Sequence, residues 1–216
     1  VIALCSIFRN SEHYLPRYFG QVDMLREELK GVRLFLTEGD SQDNTWHALP
    51  QYTKDGDQLL HVSHGGPNFG SVDNEQRWQQ IAQVVRPTLA MALDESPEVL
   101  VWVESDLIWD TGTMTTLIEE AREYGAVAPM ILAAGSDRYY DTWGYRQHGR
   151  HFLSYPPYFP VDPNPGNNAT THLRWIDSCG SCFATTSMDA LRSWDGHWPY
   201  PEAGLKCDPT LCVEHP

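Results

Sequence analysis

Glu104-Ser105-Asp106 closes an apolar run, Val99-Leu100-Val101-Trp102-Val103, of the kind that forms a fully buried strand. Carboxylates on alternate residues share one side of an extended chain, and past the strand end they can converge on one cation. Magnesium or manganese is held by one or two carboxylates together with substrate phosphates. In open α/β sheets ligands bind just beyond the carboxyl ends of the strands. The pattern therefore points to a divalent metal on a phosphate-bearing substrate, against the plainer alternative of a solvated acidic strand end. His215, at the end of the last strand-like segment, joins this metal site only if that strand returns beside Asp106.

Three other segments carry chemistry. The loop Glu38-Gly39-Asp40-Ser41-Gln42-Asp43-Asn44-Thr45 offers carboxylates to ribose hydroxyls or a nucleobase, and Gly39 allows close backbone approach. The same residue types also cap helices. His64-Gly65-Gly66-Pro67-Asn68-Phe69-Gly70-Ser71 lacks a Gly-Lys-Ser/Thr and is no Walker loop. Gly65 and Gly66 could still pass under a diphosphate, with Arg77 pairing to its oxygens. From 138 to 175, aromatic residues interleave with arginines and histidines in an otherwise acidic chain. Aromatic faces stack on sugars and bases, so Tyr140, Trp143, Arg146, Arg150 and Trp175 are acceptor-binding candidates. A structural lobe over the sheet edge is the competing assignment. Asp141 and Asp177 are candidates for a base.

The elements that must position these groups are legible in outline. Strands are expected at Val1–Phe8, Val32–Thr37, Leu59–Ser63, Val99–Val103 and Ala126–Leu132. Helices are expected at Glu12–Lys30 behind a Ser11 cap, Trp46–Tyr52, Asn74–Leu93 and Thr111–Tyr124, with Pro87 breaking or kinking the third. This alternation predicts an α/β fold with a mostly parallel sheet and helices on both faces. We expect one domain over 1–216, with a nucleotide-sugar half at 1–133 and an acceptor half at 134–216.

The chain is 216 residues long with a net charge of −14, which opposes general nucleic-acid affinity. No apolar run is long enough to span a membrane, and no leader is visible. The five cysteines lack regular spacing, which favours a reducing, cytoplasmic compartment and buried thiols.

Together these pieces resemble a GT-A glycosyltransferase over nearly the whole chain. The resemblance assigns Arg9, Glu38, Gly39 and Asp40 to the nucleoside. It assigns Glu104-Ser105-Asp106 to the DxD element, with Asp106 and His215 holding Mn²⁺ or Mg²⁺ on a nucleotide-sugar diphosphate, UDP-sugar favoured. A narrower similarity joins His64-Gly65-Gly66-Pro67, Phe69-Gly70-Ser71-Val72-Asp73, Arg77-Trp78, Tyr140-Asp141-Thr142-Trp143-Gly144 and Asp177-Ser178 to phage and metagenomic TET-associated glycosyltransferases. It implies 5-hydroxymethylcytosine DNA as acceptor and a phage-infected or bacterial cell; the alternative is a GDP-mannose- or UDP-sugar-dependent enzyme acting on a glycan. The acidic helix that supplies a base in many such enzymes is missing here, which leaves Asp195, Asp177 or Asp141, or a retaining mechanism that needs none. A nucleotidyltransferase and a non-catalytic glycan- or nucleic-acid-binding domain are the competing functions.

Overall fold

The computed structural model describes residues 1–70, 74–135, 140, 144, 146–147, 150–151, 174–197, 200–201 and 204–216; side chains at 146–147, 150–151, 174–175 and 209 are outside the description. The chain runs β1 (Ile2–Phe8), α1 (Leu15–Glu28), β2 (Val32–Gly39), α2 (Thr45–Ala48), β3 (Gln58–Val62), α3 (Glu75–Asp94), β4 (Val99–Val103), α4 (Thr111–Tyr124) and β5 (Ala126–Ala133). It continues with β6 (Arg146–Gln147), β7 (Arg150–His151), β8 (Arg174–Trp175), β9 (Ser178–Cys179), β10 (Cys182–Thr185), α5 (Met188–Ser193), β11 (Tyr200–Pro201) and β12 (Lys206–His215).

The main sheet has the order β3-β2-β1-β4-β10-β5-β12-β8. Strands β3, β2, β1 and β4 are parallel. β10 enters antiparallel between β4 and β5, and β12 lies parallel to β5. A small antiparallel sheet, β11-β9-β6-β7, is built from the second half of the chain. Every residue of β4 is buried, as its unbroken apolar sequence requires of a strand paired on both edges.

Helices cover both faces. Ser6 and Phe8 of β1 meet Tyr18 of α1, whereas Ile7 shares a cavity with Ile81 and Val84 of α3. Successive strand side chains point to opposite faces, so α1 and α3 lie on opposite sides. In α1, Leu15, Tyr18, Phe19, Val22 and Leu25 form the buried stripe, at helical spacing. Each such side chain contributes about 1.5–3 kcal/mol through burial.

Local chemistry departs from expectation in three places. Ser11 does not cap a helix with its side chain; Glu12–Tyr14 form a 3₁₀ turn and the α-helix begins at Leu15, with Pro16 in its first turn. Pro87 neither breaks nor ends α3, which is continuous over 20 residues. Gln83, whose carbonyl loses its helical partner to the proline, is exposed to water, and Thr88 Oγ1 donates to the Val84 carbonyl at 2.8 Å. Cys5, Cys179, Cys182 and Cys207 are buried, but Cys212 is exposed. Among the described residues no helix is long and apolar enough to cross a membrane.

Candidate active site

The metal candidates meet at the carboxyl edge of the sheet. Beyond β4 the chain turns, with the Leu107 N–H donating to the Glu104 carbonyl at 3.2 Å and the Glu104 N–H donating to Ser181 at 2.9 Å. From α1, Arg17 Nη2 donates to the Asp106 carbonyl and Gln21 Nε2 to the Trp109 carbonyl, both at 2.6 Å. On the other side, Ile108 and Glu214 exchange backbone hydrogen bonds of 2.7 and 2.8 Å. That bridge brings the end of β12 to the loop, and His215 Nε2 stands 3.1 Å from Asp106 Oδ2. Tyr140 stacks on the imidazole, with ring centroids 3.7 Å apart and planes 11° from parallel.

These residues fit a divalent cation. Asp106 Oδ1 is buried and without a hydrogen-bond partner, an unmet demand that a cation satisfies. His215 Nδ1 lies 2.9 Å from the Pro216 carbonyl oxygen. With the ring proton on Nδ1, Nε2 and Asp106 Oδ2 face each other as two acceptors, an arrangement that calls for a positive centre between them. Ligands about 2.1 Å from an octahedral ion, at right angles, stand about 3 Å apart, which matches the separation observed here. Among the described residues no cluster of three or more His, Cys, Asp or Glu forms around a common point.

The nucleoside candidates occupy the adjoining strand ends. The loops after β1 and β2 are fastened to each other: the Asn10 N–H donates to Ser41 Oγ at 2.9 Å and the Gln42 N–H to Asn10 Oδ1 at 2.7 Å. The Glu12 N–H donates to Asp43 at 3.1 Å and the Asn44 N–H to Glu12 at 3.2 Å. Asn10 and Asp40 both take the left-handed conformation, φ 51°, which these residue types tolerate best after glycine. A cavity of about 250 Å³ opens beside them, lined by Arg9, Asn10, Gly39, His64, Asn68, Arg77 and Gln80 over a floor of Ile7, Ile81 and Val84. Gly39 is required there, because a Cβ would come within 2.9 Å of Val84 Cγ2.

Two of the expected nucleoside contacts are closed. Glu38 is fully buried; its Oε1 accepts the Ser41 N–H at 2.6 Å and its Oε2 meets His61 Nδ1 at 2.5 Å. It shapes the loop and does not line the cavity. Asp40 Oδ2 accepts the N–H groups of Gly65 at 2.7 Å and His64 at 2.8 Å, so it carries the glycine loop. Those bonds, Gly65 first, hold its carboxyl below the ordinary value. Gly66 packs where a Cβ would overlap the Gln80 amide. Ser105 is buried, its Oγ 3.3 Å from Ser11 Oγ, and it joins the metal loop to the nucleoside loop. Glu104 is partly exposed at the start of the metal loop.

The acceptor and base candidates are dispersed. Asp195 is placed on the flank of α3: its carbonyl accepts from Arg86 Nε and its carboxylate accepts the His197 N–H at 3.0 Å. Arg86 is nine residues along α3 from Arg77, roughly 13 Å of helix, so Asp195 belongs to a different part of the surface. Trp175 pairs with Lys206 opposite Val127, while His215 lies opposite Ala133. Six residues of strand span ~20 Å, so Trp175 is not brought to the metal pair. Asp177 stands exposed between β8 and β9. Arg146 and Arg150 lie in paired strands β6 and β7. Asp141 and Trp143 lie outside the described residues. His64 and Asn68 belong to the glycine loop expected at a diphosphate, whereas Asn10, Gln80 and Arg17 were not singled out from sequence.

No known family model matches the sequence, and no curated protein matches it. Solved structures do. A mycobacterial protein is similar over 100% of this chain and 67% of its own, with 12% identity and a TM-score of 0.51. The mannosyltransferase PcManGT from Pyrobaculum calidifontis, in complex with GDP-Man and Mn²⁺, is similar over 99% of this chain and 56% of its own, with 11% identity and a TM-score of 0.50. S. aureus TarS 1-349, in complex with UDP-GlcNAc, is similar over 66% of this chain and 38% of its own, with 13% identity and a TM-score of 0.43. The chain thus spans little more than half the length of the mannosyltransferase and well under half of TarS. The shared architecture is the expected one, a mostly parallel sheet flanked by helices as in GT-A glycosyltransferases.

Proposed function

We propose that this chain is a metal-dependent glycosyltransferase that takes its sugar from a nucleotide sugar. The observation that carries the reading is the Asp106–His215 pair, with its buried unpartnered carboxylate oxygen; Ser105 ties its loop to Ser11 of the β1 loop, whose Arg9 lines a cavity with Gly39 and Arg77. Asp106 and His215 would hold Mn²⁺ or Mg²⁺. Bound there, the ion neutralises charge on the leaving diphosphate. The chain's own groups do the rest. The cavity seats the nucleoside, Arg77 at the head of α3 adds positive charge, and the loops tied by Asn10 and Asp40 keep the donor from shifting. Tyr140, 38% exposed and stacked on His215, presents an aromatic surface to the transferred sugar or the acceptor. Asp177, exposed between β8 and β9, is the described candidate for deprotonating the acceptor hydroxyl.

For the acceptor, the likeness to TET-associated enzymes nominates 5-hydroxymethylcytosine DNA, gripped through Arg146 and Arg150, in a cytoplasmic setting. The net charge of −14 limits that grip to a local patch. A glycan acceptor avoids the few kcal/mol needed to flip a base from a duplex. Incubation with sugar nucleotides and Mn²⁺ tests the reaction: release of nucleoside diphosphate supports it, and release of pyrophosphate from nucleoside triphosphates identifies a nucleotidyltransferase instead. Asp106→Ala should abolish metal-dependent turnover, and full activity in that variant overturns the assignment. A mass gain on hydroxymethylated oligonucleotide, set beside simple glycosides, decides the acceptor.

A further inference from the structure

Two buried hydroxyl bridges cross the split between β1 and β4, and the outer one ties the metal loop to the loop after β1. The β1–β2 ladder runs on to Phe8 opposite Glu38, but the β1–β4 ladder stops at Cys5 opposite Trp102. Strand order reverses here, with β2 and β3 on one side of β1 and β4 on the other, which makes the crevice a topological switch point. Ser6 Oγ donates across it to the Val103 carbonyl at 2.6 Å, backed by Tyr18 Oη at 2.5 Å. Further out, Ser11 Oγ and Ser105 Oγ stand 3.3 Å apart, and both residues are buried.

The outer bridge is fastened at each end. Ser105 immediately precedes Asp106, whose carbonyl accepts from Arg17 Nη2. Ser11 Oγ donates to the Arg9 carbonyl at 3.1 Å and accepts the Arg9 N–H at 3.3 Å. A hydroxyl carries one proton, so with that of Ser11 on Arg9, the Ser105 hydroxyl is the donor between the two serines. The Ser11 N–H donates to Thr45 Oγ1 at 2.7 Å, and Thr45 donates in turn to Asp43. Ser11 leaves the turn at Glu12–Tyr14 without a side-chain cap because its hydroxyl is engaged with Arg9 and Ser105 instead.

We infer that Ser11 and Ser105 couple the two halves of the site, so that a filled metal loop raises nucleotide affinity, and a filled cavity raises metal affinity, through the protein itself. The inference rests on the donor-site reading above and adds a route separate from contact between ion and diphosphate. Both serines act as positioning residues. With Asp106 held by a cation, Ser105 is fixed, Ser105 fixes Ser11, and the Arg9 backbone has less freedom left to lose when a nucleotide enters the cavity that Arg9 lines. The same coupling runs in reverse with equal strength.

The test uses the full chain and two measurements: Mn²⁺ affinity by electron paramagnetic resonance without nucleotide, titrated into the millimolar range, and UDP and GDP affinity by calorimetry at saturating Mn²⁺. Ser11→Ala, on the cavity side, should weaken Mn²⁺ about two- to tenfold, the usual worth of one hydrogen bond. Ser105→Ala, on the metal side, should weaken the nucleotide that binds by about the same factor. The double variant should lose no more than the weaker-binding single one, because removing either hydroxyl already breaks the bridge. A hydroxyl that served folding alone would lower the melting temperature and leave both affinities in place. A wild-type value in either measurement, or losses that add in the double variant, overturns the inference and leaves the glycosyltransferase reading standing. Failure of the wild-type chain to bind UDP or GDP with Mn²⁺ overturns that reading and the coupling with it.

Discussion

A single methyl group added at Gly39 should destabilise this protein, while the same methyl added at Gly20 should stabilise it. At Gly39 the new Cβ would stand 2.9 Å from Val84 Cγ2 and 3.4 Å from His64 Cδ2. Carbon atoms in good contact sit about 3.5–4.0 Å apart, so the shortfall against Val84 is on the order of 0.6–1 Å. Val84 is buried on α3, 5% exposed, and has no long side chain to swing aside. Relief must come from moving α3 or the end of β2, and overpacking of this kind costs about 1–3 kcal/mol. For a chain of this length each kcal/mol shifts the melting temperature by about 2–4 °C, so Gly39→Ala should melt about 2–12 °C lower. It should also bind UDP more weakly, because the methyl narrows the cavity wall. Gly20 lies exposed inside α1 with nothing within 4 Å of its would-be Cβ. There the substitution removes only the helix cost of glycine, about 0.8–1 kcal/mol, and the melting temperature should rise by about 2–4 °C. Thermal melts of the two variants decide the matter. If both shift in the same direction, or Gly39→Ala melts as wild type with full UDP affinity, the packing argument for the β2 loop is wrong.

Arg17→Met removes the donor that fixes the Asp106 carbonyl; Mn²⁺ affinity measured by electron paramagnetic resonance in the presence of UDP should fall about tenfold, with partial recovery in Arg17→Lys. Unchanged affinity would show that α1 does not position the metal loop. Glu38→Ala takes the acceptor from the partly buried Ser41 N–H and the partner from His61, and should cost about 1–3 kcal/mol in urea unfolding; a variant as stable as wild type would show that this carboxylate does not hold the loop. Asp40 is held below its ordinary value by the Gly65 and His64 amides, and Asp110 by the hydroxyl and amide of Thr113. The stability they contribute is complete above the unfolded carboxyl value of about 3.9 and is lost as pH falls through their lower folded values. The acid limb of a stability–pH curve should therefore be shallower in Asp40→Asn, and an identical limb would count against the loop bonds.

Much of this arrangement was legible from residue types, and the failures have physical causes. Val99–Val103 and Ile2–Phe8 declared themselves as strands because a segment buried on both faces is almost wholly apolar, the hydroxyl of Ser6 being the one exception. Their partners were less visible. Periodicity reports how a segment is exposed, not which neighbour it pairs with, so nothing in Cys182-Phe183-Ala184-Thr185 announced that it would separate β4 from β5. Asp106 and His215 were paired by family resemblance; the Ile108–Glu214 bridge that makes the pairing real could not be read from spacing. Glu38 looked like a ligand for substrate because a carboxylate at a strand end can accept from ribose hydroxyls or a nucleobase. Whether it turns inward depends on His61 arriving on β3, opposite it in register. Asp195 looked catalytic only by elimination, and Gly196 packs against Ala82 and Arg86 to hold that segment on α3.

The late entry of β10 and β12 has a consequence for how the molecule is made. During synthesis β1 to β4 can pair as soon as they emerge, because each partner is already present. β4 then has one edge open until residues 182–185 appear, and β5 waits for both β10 and β12. For that interval the nascent chain carries unpaired strand edges of high apolar content, the feature that makes partly folded chains stick to one another. Contacts so distant in sequence also close slowly. Among the described strands β12 joins latest, so the Asp106–His215 contact forms only once β5 has gained that partner. Under the proposed function, metal binding would report that this part of the sheet has closed, and a chaperone or a slow refolding step would act on the stage just before it.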